Sequence, residues 1–74
     1  MKFNSGDQVN ITCDGNTVAG AVLAASEDGH SLALVFDGTV AGYSRIMSVT
    51  RDRKGTYRTL TNTPIILRAD VRPP

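Results

Sequence analysis

The 74-residue sequence has no tryptophan, one cysteine and one histidine, and its other aromatics are two phenylalanines and two tyrosines. Each scarcity excludes something. With Cys13 alone, no disulfide can form within the chain. One cysteine and one histidine cannot supply the four ligands of a structural zinc site. Cys13 alternates with Val9 and Ile11, which predicts a buried, reduced thiol behaving as a small hydrophobe. The aromatic shortage argues against a single-strand nucleic-acid binder. Phe3 and Phe36 read as core, so only Tyr43 and Tyr57 could offer stacking faces. The longest low-polarity run, Val18 to Ala25, is far too short to span a bilayer. Residues Met1 to Gly6 contain no apolar stretch of the secretory-signal type. Cytoplasmic residence is the expectation, in keeping with an unpaired thiol.

What is present is ordinary globular composition, with 41% hydrophobic and 20% charged residues. The length suits one domain, taken as residues 1–72 with Pro73-Pro74 as a frayed tail. So small a core supplies only a few kcal/mol net, roughly 3–5. With a disulfide and a zinc site excluded, oligomerisation is the remaining reinforcement.

The organising stretch runs from Gly6 to Val22. Val9, Ile11 and Cys13 alternate with Gln8, Asn10 and Thr12, the period-two signature of a half-buried strand. Asp14-Gly15 then provides the positive φ of a tight hairpin. Residues Thr17 to Ala25 fit a strand or, on alanine content, a helix. Gly20 in the middle, apolar residues on every side, and Glu27-Asp28 at the wrong end of a helix dipole favour the strand. Ser26 to His30 reads as a polar turn and Ser31 to Phe36 as a third strand, apolar on both faces, with Asp37-Gly38 as the next turn. A fourth strand covers about Tyr43 to Arg51, and Asp52-Arg53-Lys54-Gly55 links it to a fifth, Thr56 to Leu60. That four-residue link sets Arg51 opposite Thr56, Val49 opposite Arg58 and Met47 opposite Leu60. Met47, Val49 and Leu60 would then face inward, with Thr50 and Tyr57 outward. Thr61 to Pro64 turns the chain again, and Ile65 to Arg68 is a short closing strand.

Short strands at even spacing with Asp-Gly turns indicate an all-β fold: a small antiparallel SH3-like barrel of five to six short strands. The entry Gly6-Asp7-Gln8-Val9-Asn10-Ile11, followed by Gly20-Ala21-Val22, resembles the opening of KOW-type and other SH3-like barrels. The resemblance covers residues 6–22 and implies a fold. Phe3 to Val9 is also similar to the entry of the type II dihydrofolate reductases, but their substrate-binding Val-Gln-Ile-Tyr motif is missing, and that activity is not expected. Arg68-Ala69-Asp70-Val71-Arg72 resembles the Arg-x-x-x-Arg of PilZ nucleotide receptors. PilZ domains place that motif ahead of the barrel and pair it with an Asp/Asn-x-Ser-x-x-Gly that has no counterpart here.

Charge is distributed unevenly. Residues 1–37 carry Lys2 against five carboxylates, a net −4, whereas residues 38–74 carry seven cations against Asp52 and Asp70, a net +5. The overall +1 hides two halves of opposite sign. Arg51, Arg53, Lys54 and Arg58 gather around one hairpin, where they are candidates for binding phosphate or an acidic partner. The same cluster also suits a solvated hairpin tip or an aggregation-resistant edge, and the acidic half of one chain could dock on the basic half of another.

Catalysis finds no supporting pattern. His30 sits in a polar turn without a neighbouring nucleophile, Glu27-Asp28 are adjacent rather than convergent, and neither a Gly-x-Ser-x-Gly elbow nor a phosphate loop occurs. The expectation is a cytoplasmic, non-enzymatic binding or assembly module of bacterial or phage type, without cofactor, metal or membrane partner. Its leading activity is protein association, including self-association as a homo-oligomer, with Val35, Tyr43 and Tyr57 at the interface. The alternative is weak, sequence-independent nucleic-acid binding through the basic hairpin.

Overall fold

In the computed structural model, which describes residues 2–70, alternating apolar residues have become the inner wall of a closed antiparallel barrel. Six strands follow in chain order: β1 Gln8–Cys13, β2 Asn16–Ala25, β3 Ser31–Val40, β4 Tyr43–Arg51, β5 Tyr57–Thr59 and β6 Pro64–Ala69. Each pairs with its sequence neighbour. Pairing of β6 with β1, from Val9 opposite Ala69 to Thr12 opposite Ile66, closes the ring. Closure leaves no sheet edge to recruit another chain. Among the described residues there is no helix, and hence none long and apolar enough to cross a membrane. The Pro73-Pro74 tail lies outside the described residues.

The interior is filled from five strands by Val9, Ile11, Val22, Leu34, Met47 and Val49, each at most 2% exposed, with Ile65 of β6 also buried among them. Burial at about 25 cal/mol per Å2 of apolar surface is the main term holding such a barrel closed. Cys13 is buried and free. Phe3 packs under the open end of the barrel, its ring edge-on to Tyr57 with centroids 6.2 Å apart.

Residues 16–25 are strand, resolving the helix-or-strand ambiguity. Gly20 shows why a small residue is required there: a Cβ would stand 2.5 Å from the Val35 carbonyl oxygen and 3.0 Å from Ile11 Cδ1. The strand coils tightly against β3 at that point, as a Gly- and Ala-rich segment permits.

Two local expectations are corrected. The first concerns Asp37-Gly38, which is not a turn. Strand β3 continues to Val40, and Phe36, Asp37 and Gly38 stand opposite the single residue Arg45, between the pairs Val35–Ile46 and Thr39–Ser44. Both Gly38 (φ 92°) and Arg45 (φ 68°) adopt left-handed backbone at this bulge. The hairpin turn is Ala41-Gly42, with φ of 52° and 85°, between the paired residues Val40 and Tyr43. An Asp-Gly pair supplies positive φ for a bulge as readily as for a turn, so the local signal does not distinguish them.

The second correction is the register of β5. Arg51 pairs with Tyr57, Thr50 with Arg58 and Val49 with Thr59, so the link contains five residues, not four. A slip of one residue exchanges the two faces of a strand. Tyr57 and Thr59 therefore point inward, at 7% and 5% exposure, while Leu60 leaves the strand at 78% exposure.

Candidate functional site

The β4–β5 loop is built around Asp52. Its Oδ1 accepts hydrogen bonds from the backbone N–H groups of Lys54 and Thr56, both at 2.9 Å. Its Oδ2 accepts from Arg58 Nε at 2.9 Å. The Gly55 amide donates to the Asp52 carbonyl at 3.1 Å, closing a turn in which Gly55 takes the left-handed conformation (φ 88°). The Arg58 hydrogen bond, with those from Thr56 and Lys54, holds the Asp52 carboxyl below its usual range. Both oxygens are committed inside the loop, and Arg58 spends its charge on Asp52 and a hydrogen bond on the Asn62 carbonyl at 3.2 Å.

This loop divides the four predicted basic residues. Arg58 is a structural partner of Asp52. Arg53 and Lys54 lie in the loop, exposed, and Arg51 sits half-buried at the end of β4. Together with Phe3, His30 and the β6 residues Ile65 to Leu67, they line an open groove of about 690 Å3 at this end of the barrel. Among the described residues, the one carboxylate that lines it is Asp52.

The opposite wall is tied in by long-range bonds. Tyr57 Oη donates to the Gly29 carbonyl at 2.8 Å, and the Arg51 amide donates to the His30 carbonyl at 2.8 Å. Ser26 Oγ and the His30 amide donate to Asp28 Oδ1, which lowers the Asp28 pKa and turns that carboxylate into its own loop. His30 is exposed, and the groove brings it beside Arg51, to which no sequence motif linked it.

The three predicted interface residues are not brought together. Val35 lies on the outer wall at the middle of β3. Tyr43 and the end of β4 at Arg51 stand at opposite ends of that strand, and Tyr43 packs against the core. Tyr57 was expected on the outer face; it lies inside, because of the five-residue loop. Around Val35 there is instead a run of small and apolar side chains, with Asp37 two residues along β3. Ala21, Val35 and Ile46 form one row across β2, β3 and β4, and Ala24, Ala33 and Ser48 form the next. Ile46 is 50% exposed, and Leu23 beside the β2 bulge is 54% exposed. Shallow hollows of about 330 and 400 Å3 lie along this face, the first lined by Ala19, Ala21 and Val35 together with Gln8 and Asp37, the second by Ala24, Ala33 and Ser48.

Burial, and secondarily the neighbouring Asp14, pushes the Cys13 thiol pKa up, away from a nucleophilic thiolate. Among the described residues no three His, Cys, Asp or Glu side chains converge as a metal site. No family model, no curated protein and no solved structure matches this chain.

Proposed function

We propose that this protein is an SH3-like, non-enzymatic assembly module that associates with a second copy of itself through the outer face of β2, β3 and β4. The observation that carries the reading is the absence of any charged side chain among Ala21, Ala24, Ala33, Val35, Ile46 and Ser48. Such a surface loses little polar hydration when covered. Its relief also suits a two-fold contact. In such a contact the Val35–Ile46 ridge of one copy meets alanine-lined hollows of the other, one of which also carries Asp37, and a two-fold axis presents the same patch on both partners. Small side chains let two sheets approach to about 10 Å. The carboxylates of the loops around β1–β3 and the arginines of β4–β6 add a sense of orientation between copies. A reducing, cytoplasmic setting goes with the single free thiol.

Light scattering across a dilution series tests the reading. The expected result is a mass above that of the monomer at high concentration, and a monomer for Val35→Glu with an unchanged circular dichroism spectrum. A wild-type protein that stays monomeric at the highest attainable concentration overturns it.

A further inference from the structure

The groove at the Arg51 end of β4 is a second surface, separate from the outer face of β2–β4, and its chemistry points to a different class of ligand. We propose that it binds an unpaired nucleic-acid strand, with phosphates on Arg51, Arg53 and Lys54 and the sugar and base edges against Phe3 and Leu67.

Electrostatics are the first argument. Asp52, the one carboxylate lining the groove among the described residues, has both oxygens engaged by Arg58 Nε and by the Lys54 and Thr56 amides. Its negative charge is balanced within the loop by Arg58, which leaves Arg51, Arg53 and Lys54 as the cations among the described residues that line the groove. Arg53 and Lys54 are held in place by the backbone of a loop that Asp52 braces, which lowers the ordering cost of binding. Three cations in one groove can meet more than one phosphate, and arginine can grip two phosphate oxygens at once.

Shape is the second argument. The groove is not lined by polar groups alone: Phe3, Ile65, Ile66 and Leu67 also line it, as does His30. A ligand that matches this lining must carry regularly spaced anions together with flat, less polar rings. Unpaired nucleotides have that character, whereas a duplex turns its bases inward. A volume of about 690 Å3 falls within the usual range for small-ligand sites, about 300–1,000 Å3. Phe3 reads from the sequence as core, yet it lines this groove while packing edge-on to Tyr57.

The test is fluorescence anisotropy of a labelled oligothymidylate titrated with the full chain over a range of salt concentrations. Three phosphate contacts predict a slope of about −2 in log affinity against log salt, or roughly a twentyfold loss between about 50 and 200 mM. The double substitution Arg53→Ala/Lys54→Ala removes side chains with no structural partner in the loop and should cut the slope to about −0.7. Arg45→Gln, which removes a cation outside the groove, should leave the affinity unchanged. Duplex DNA should bind more weakly than the single strand. Absence of binding at low salt, an Arg53→Ala/Lys54→Ala titration like wild type, or equal affinity for duplex, inorganic polyphosphate or polyglutamate overturns the assignment. The Val35→Glu protein should bind the oligonucleotide as a monomer, so the fate of this site is read separately from that of self-association.

Discussion

The Tyr57 hydroxyl donates a hydrogen bond to the Gly29 carbonyl at 2.8 Å, joining residues 28 positions apart in the chain. The bond is buried, and it ties the shortest strand, β5, to the turn between β2 and β3. The same ring meets Phe3 edge-on. One side chain thus fixes the relative positions of three segments that line the groove.

Tyr57→Phe keeps the ring and deletes the bond, leaving the Gly29 carbonyl without this donor. A loss of about 1–2 kcal/mol is expected, since a buried acceptor stripped of its partner costs more than the net value of an average hydrogen bond. Urea denaturation checks it: the midpoint should fall with an unchanged slope.

Gly20→Ala should destabilise the barrel by about 3 kcal/mol, at the upper end of the overpacking range. The first atom an added methyl meets, at 2.5 Å, is the backbone oxygen of Val35, which cannot rotate away as a side chain would. Thermal unfolding of the variant measures this directly. A melting temperature equal to wild type would contradict the tight coiling of β2 on β3.

Acid should weaken the fold through Asp52 and Asp28. Arg58 is the main cause of the depressed Asp52 pKa, and Ser26 the main cause at Asp28, both below an ordinary value of 3.8. A carboxylate whose folded pKa is depressed contributes stability above its unfolded pKa, about 3.9, and loses it as pH falls through the folded value. The melting temperature should therefore decline below about pH 4. In Asp52→Asn the decline should be shallower, because one of the two linked groups is gone. Melting followed from about pH 7 down to pH 2 compares the two.

Much of this molecule is legible in its sequence. The alternation of Val9, Ile11 and Cys13, the Asp14-Gly15 hairpin, and the small residues of β2 are local signals, and the structure carries each as read: Asp14 has φ 51° and Gly15 φ 79°. The basic residues near the β4–β5 loop were visible as a cluster. Their division into a structural Arg58 and three residues lining the groove was not, because it depends on which atoms Asp52 can reach once the loop has closed.

What the sequence by itself determined was the all-β class and most of its strands, because period-two alternation and turn chemistry act between near neighbours, whereas residues 17–25 stayed open between strand and helix. Tertiary structure alone decided the side of the barrel on which Tyr57 and Leu60 lie, the role of Asp37-Gly38 as bulge instead of turn, and the meeting of His30 with Arg51. The first turns on a one-residue choice of register, the others on how β3 and β4 pair and where the β2–β3 turn meets β4. Such a choice changes few local interactions but reverses a whole strand face, so packing across the closed barrel selects it.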